Sequence, residues 1–407
     1  MSFRRIAVLF ALIVSGCATA PPQGGTREPP IVMLVSIDAF RADYLSRGLT
    51  PTLSTLAAAG ASGPMQPSFP TKTVPNHYTI VTGLRPDHHG VVNNTMRDPT
   101  LPGLTFRLQD KSAVLDRRWW DDGEPIWVTA QNAGLIAASV MWPGSEADVR
   151  GVHTSLSVPY DKNRTSDQRI DQALTWLDLP AAQRPRFVSV YLERVDNVGH
   201  AVGPDDPALN AELVAIDGSI ERLVEGLETR GLRDKVVVLV VSDHGLAGIA
   251  PDQVVRLGPV TSSDAASVLY NGATVSIEPA PGREAEVAAE VLAPRDHMQC
   301  WRRGTLPDRF AFGHHRRVPT FFCLADVGWE VLAAGDPVSA NRGDHGYDNV
   351  APEMQAIFIA NGPGVRRGAT IRGLKNVDVH ALLGRLLGLT VPADDGDPLA
   401  TADVLAR

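Results

Sequence analysis

Four short apolar runs constrain this chain more than any other feature. They are Ile31–Ile37 (IVMLVSI), Phe187–Leu192 (FVSVYL), Val236–Val241 (VVVLVV) and Ala356–Ile359 (AIFI). None alternates polar with apolar residues, so each reads as a strand covered on both faces, as in a parallel sheet. A weaker run covers Ile136–Met141. Helical patterns lie between or after them at Thr50–Gly60, Ser166–Trp176, Leu209–Arg230 and Val377–Leu387. Strands alternating with helices predict an α/β fold of three layers, with helices on both faces of a mostly parallel sheet. The stretch from roughly 280 to 341 lacks this alternation and is rich in Pro, Gly and Arg. It is expected to form a small lobe inserted in one domain, 31–407.

The N-terminus stands outside that pattern. Arg4 and Arg5 precede an apolar run, Ile6–Val14, followed by Ser15, Gly16 and Cys17. The run is too short to span a bilayer and has the order of a signal peptide. Val14-Ser15-Gly16-Cys17 fits a bacterial lipobox, so 1–17 is expected to be a lipoprotein signal with Cys17 the lipidated residue. Residues 18–30 are a Pro/Gly-rich tether that cannot bury a core. Ala18, rather than aspartate, follows the cysteine, which points to the outer membrane. The expected location is the periplasmic side of a bacterial cell, in touch with membrane only through the lipid. In that oxidising setting Cys300 and Cys323 are expected to pair as a disulfide. A formal net charge of −8 gives no basic face for a nucleic-acid polymer, so the partner is expected to be a small molecule.

The chemistry gathers at the strand ends. Asp38, Asp196 and Asp243 stand just beyond three of the apolar runs, where open α/β sheets bind ligands. Three converging carboxylates repel one another unless cations neutralise them. Asp196 and His200 are four apart, one helical turn, and can face one ion. Asp243-His244 form a second pair, and His345 lies in a glycine-flanked loop, GDHGYDN. Sets of carboxylate and imidazole ligands with an open position suit catalytic Zn²⁺. Each piece alone is ordinary, since an aspartate after a strand is commonly a helix cap. Their conjunction around Thr73 and Asn94 is not. Thr73 should sit just before the N-terminus of a helix-like run, His77–Gly83, where free N–H groups favour an anion.

The stretches VSIDAFRADYL, FPTKTVPNHYTIVTGLRPDHHG, GEPIWVTAQNAG, MWPGSEA, DNVGH, VVSDHGL and GDHGYDN resemble the nucleotide pyrophosphatase/phosphodiesterase family, a branch of the alkaline phosphatase superfamily. The resemblance runs from about Ile31 to Leu387. It implies an alkaline-phosphatase-like fold and two Zn²⁺ ions. One would be held by Asp38, Asp243, His244 and the Thr73 oxygen, the other by Asp196, His200 and His345. Thr73 would be the nucleophile, passing through a phosphothreonine, and Asn94 would bind a phosphoryl oxygen together with an N–H near Val74. The implied substrate is a phosphodiester or nucleotide pyrophosphate. The family's phenylalanine after the threonine is Val74 here, which thins one stacking wall, while Tyr160 resembles the tyrosine of the opposite wall.

Charge counting favours diesters over monoesters. Two Zn²⁺ carry +4 against −3 from the three aspartates, and a Thr73 alkoxide brings the site to neutral. Such a site matches a singly charged diester. Lys72 is expected to point away from the Thr73 face. The alternatives are a choline or lysophospholipid phosphodiesterase and a phosphomonoesterase of the same superfamily. A zinc-binding lipoprotein without catalysis predicts loss of Thr73 and Asn94, and both are present. His77 is expected to hold the nucleophile turn, and His88, His89 and the 314–317 patch to be solvated or hydrogen-bonded. Trp119, Trp120, Trp127 and Trp142 are expected to pack in the core.

Overall fold

A computed structural model of the chain describes residues 30–406. The expected signal peptide and lipobox, with Cys17, and nearly all of the expected tether lie outside the described residues.

The apolar runs form the centre of a nine-stranded sheet. Its strands lie in the order 369–370, 61–66, 356–361, 236–241, 31–37, 187–192, 137–140 and 156–158, and the short pair 374–375 joins 61–66. Ile31–Ile37 pairs in parallel with both Phe187–Leu192 and Val236–Val241. Alternate residues of these strands enter different cores. Val32, Leu34, Val237 and Leu239 pack with helices Thr73–Thr82 and Asp378–Leu387. Met33, Val35, Val238 and Val240 pack with helices Pro51–Ala59, Ser166–Leu177 and Pro207–Thr229. Both faces are therefore covered, which is why the strands carry no polar alternation.

Two features depart from expectation. Ala356–Asn361 is a central strand but runs antiparallel to both neighbours. The inserted lobe begins earlier than residue 280. Its four-stranded antiparallel sheet has the order Ala266–Tyr270, Thr274–Pro279, Phe321–Ala325, Met298–Arg302. Cys300 and Cys323 face each other on its last two strands and are joined by a disulfide. Val275, Ile277, Phe321 and Cys323 pack with helix Glu284–Val291 and with Tyr347 and Met354 of the loop that carries His345. The lobe is thereby seated on the site.

Candidate active site

Three of the parallel strands each lead to a carboxylate beyond their C-terminal end. Asp38 follows Ile31–Ile37, and Asp243-His244 follow Val236–Val241. Asp196 and His200 lie one turn apart on helix Arg194–Val202, which follows Phe187–Leu192. His345 comes from the opposite end of the chain, just after Gly343–Asp344, a short strand paired with Ala247–Gly248.

These residues form two groups. Donor atoms of Asp38, Asp243 and His244 lie within 4.8 Å of one another, as do those of Asp196, His200 and His345. The groups adjoin, since the rings of His244 and His345 stack with centroids 3.7 Å apart. Thr73 Oγ1 lies 3.4 Å from His244 Nε2, on the side of the first group.

The imidazoles are preset as ligands. His200 Nδ1–H donates to the Gly343 carbonyl (2.8 Å), His345 Nδ1–H to Thr71 (2.8 Å) and His244 Nδ1–H to Gly245 (2.9 Å). A carbonyl only accepts, so each proton resides on Nδ1 and each Nε2 lone pair faces the site. Burial keeps His244 and His345 neutral by lowering their basicity, and for His345 the neighbouring His244 adds to this.

The carboxylates lack what the imidazoles have. Asp38 Oδ1, Asp196 Oδ1 and Asp243 Oδ2 are buried without a hydrogen-bond partner. Burial, then repulsion from Asp243 and Asp196, holds the Asp38 carboxyl well above the usual carboxylate range. Burial, then Asp196, pushes Asp243 up to about 8. Orphaned anionic oxygens facing three Nε2 lone pairs are unfavourable without a cation and favourable around one. The donor set therefore fits two divalent metal ions. The other oxygens of Asp38 and Asp243 are anchored: Tyr191 Oη donates to Asp38 Oδ2 (2.6 Å), and the Ala39 N–H donates to Asp243 Oδ1 (3.2 Å) from a backbone with φ 55°. A left-handed alanine at such a place is local strain stored at a site.

Thr73 is the first residue of helix Thr73–Thr82 rather than preceding it, with Lys72 at the cap position. His77 spans the turn, its Nδ1–H donating to the Thr73 carbonyl (2.9 Å) and its Nε2 facing Ser36 Oγ (2.8 Å). Burial lowers its basicity to about 3. The Val74 N–H is already engaged. It donates to Asn94 Oδ1 at 2.9 Å, which turns the Asn94 Nδ2 donors the other way. Asn94 lines the cavity with Thr73.

That cavity is about 720 Å³. Tyr160 forms one wall, its hydroxyl 3.5 Å from Glu193, whose carboxylate is clasped by buried Arg169. Val74 does not form the other wall. Its side chain is fully buried in the core, and Leu108 and Val114 line the cavity instead. Glu146, Tyr270, Lys111 and Lys162 also line it. Sequence reading missed these four, which stand singly in segments without a chemical pattern. Lys72 is fully buried, its ammonium bonded to Tyr270 Oη and to the His345 carbonyl. The four tryptophans are core residues. Arg317 is not solvated: its guanidinium is buried on Asp98 and on the carbonyls of Gly90 and Trp119.

Residues 32–348 match the family model described as type I phosphodiesterase / nucleotide pyrophosphatase. The chain is 34% identical over 380 residues to an uncharacterised pyrophosphatase/phosphodiesterase of Schizosaccharomyces pombe, covering 90% of this chain and 78% of that protein. It is 33% identical to human ectonucleotide pyrophosphatase/phosphodiesterase family member 1, covering 91% of this chain but only 41% of the human protein's length. Among solved structures, the murine ectonucleotide pyrophosphatase/phosphodiesterase 5, as an inactive variant in complex with AMP, superposes with a TM-score of 0.88. The identity is 30%, with 93% of this chain and all of that chain covered.

Proposed function

The chain belongs to the type I phosphodiesterase / nucleotide pyrophosphatase family, and on that premise we propose that it hydrolyses nucleotide phosphodiesters and pyrophosphates through a phosphothreonine at Thr73. It is a metal-dependent hydrolase, as its family membership and two donor groups indicate. One observation carries the finer reading: three buried, unpartnered carboxylate oxygens and three inward Nε2 atoms stand in two groups beside a single alcohol.

Two divalent cations, zinc in this proposal, held by Asp38, Asp243 and His244 and by Asp196, His200 and His345, would acidify the Thr73 hydroxyl and stabilise the departing oxygen. Thr73 Oγ1 forms the new bond to phosphorus while the opposite P–O bond breaks. Asn94 Nδ2, aimed by the Val74 N–H, donates to a phosphoryl oxygen as charge develops there. His77 and the first helical turn hold Thr73 in line. Water then cleaves the phosphothreonine, restoring the hydroxyl, with net retention at phosphorus. The Tyr160 ring offers a face on which a nucleotide base can stack. The proposal includes the lipid-anchored, periplasm-facing location read from Cys17.

The test is steady-state turnover of bis(p-nitrophenyl) phosphate against p-nitrophenyl phosphate by the zinc-loaded protein, with Thr73→Ala as control. The diester should be the faster substrate, and Thr73→Ala should abolish turnover while keeping the metal content. Faster cleavage of the monoester, or an active Thr73→Ala protein, overturns the reading.

A further inference from the structure

We propose that Tyr270 is a specificity-determining residue whose hydroxyl donates a hydrogen bond to the departing group, selecting substrates that release phosphate or pyrophosphate over those that release an alcohol. The inference rests on the reading above and deepens it by naming the substrate class.

Lys72 is the starting point. It adjoins Thr73 in the chain, and its ammonium is fully buried. There it donates to the His345 carbonyl and, at 2.7 Å, to Tyr270 Oη, with Asp344 Oδ1 at 3.6 Å. The Asp344 oxygens are in turn taken by the N–H groups of His345 and Ala273. An ammonium only donates, so Tyr270 Oη is the acceptor in that bond. The hydroxyl proton of Tyr270 is left over. Among the described residues the Tyr270 hydroxyl has no other hydrogen-bond partner.

That proton belongs to a residue lining the same cavity as Asp196, His200 and His345, and Lys72 ties its oxygen to the His345 carbonyl. In an in-line displacement the attacking and departing oxygens lie on opposite sides of phosphorus. Thr73 stands against His244 of the first donor group, so the departing oxygen falls to the second group, where Tyr270 is. A hydroxyl that accepts from a cation is a stronger donor than a free one. Its best acceptor is an anionic oxygen, because charge-assisted hydrogen bonds are about twice as strong as neutral ones. A pyrophosphate leaving group presents such oxygens beyond the scissile bond, and an aryl or alkyl leaving group presents none. Tyr270 comes from the first strand of the inserted lobe, so the lobe would contribute to selection as well as to packing.

The experiment compares zinc-loaded wild type with Tyr270→Phe on a nucleoside triphosphate and on the p-nitrophenyl ester of the same nucleoside 5′-monophosphate. Phe keeps the ring over which the Lys72 ammonium packs at 4.6 Å. The loss in kcat/KM on the triphosphate should exceed the loss on the aryl ester by tenfold or more. Calorimetry supplies a readout apart from turnover. Pyrophosphate should bind Thr73→Ala/Tyr270→Phe about tenfold more weakly than Thr73→Ala, at equal metal content. Equal losses on the two substrates, or unchanged pyrophosphate affinity, overturn the inference while leaving the enzyme's assignment standing. A wild type that cleaves neither substrate overturns that assignment and this inference with it.

Discussion

Removing the metal should make the protein's stability fall with rising pH, in a window where the loaded protein is flat. Asp38 and Asp243 are almost wholly shielded from solvent. Without a cation both folded carboxyls hold their protons more tightly than in the unfolded chain. For Asp243 the folded value is about 8 against an ordinary 3.8, through burial and then Asp196. The folded protein therefore binds a proton that the unfolded chain has released. The associated stability is fully present below about pH 4 and is lost as pH rises through about 8. At about 1.4 kcal/mol per pH unit, Asp243 alone removes on the order of 5 kcal/mol across that window. That is a large part of the 5–15 kcal/mol typical of folded domains. For a chain of this size the corresponding drop in Tm is roughly 6 °C. Differential scanning fluorimetry of chelator-treated and zinc-loaded protein from pH 5 to 8 measures it. Subtracting the two profiles cancels groups remote from the site. Parallel profiles, or a chelated protein as stable at pH 8 as at pH 5, would refute the claim that these carboxylates depend on cations.

Asn94→Ala removes one oriented phosphoryl donor and should lower kcat about 10²–10³-fold in a stopped assay with a nucleotide aryl ester. Asn94→Asp should be no better, since it places a carboxylate oxygen against the phosphoryl group and loses the donor. Tyr160→Ala removes the stacking face and should raise KM for nucleotides about tenfold, with kcat nearly unchanged. A matching fall in kcat would mean that Tyr160 acts on the reacting geometry instead.

Much of this architecture could be read before any coordinates, and the exceptions have physical causes. Strands such as VVVLVV announce themselves because both faces are covered, but periodicity carries no direction. The antiparallel run of Ala356–Asn361 was therefore invisible. Ala61–Gln66 was missed because ASGPMQ contains no apolar run and includes Pro64. The candidate metal-ligand residues were legible because strand ends and a helical turn bring Asp38, Asp196, His200 and Asp243 to one rim. Val74 misled because every residue of helix Thr73–Thr82 is buried, so adjacency to Thr73 says nothing about facing the cavity. Tyr270 and Lys72 meet only in three dimensions, 198 positions apart. Arg317 reads as surface until its partner Asp98, far earlier in the chain, is seen beside it.

The donor groups draw on Asp38 near the start of the described chain and on His345 near its end. A nascent or clipped polypeptide that stops short of His345 keeps the first donor group whole but leaves the second with only Asp196 and His200. The second group thus closes only when a late loop, paired with Ala247–Gly248 outside the main sheet, returns to the helix that carries Asp196 and His200.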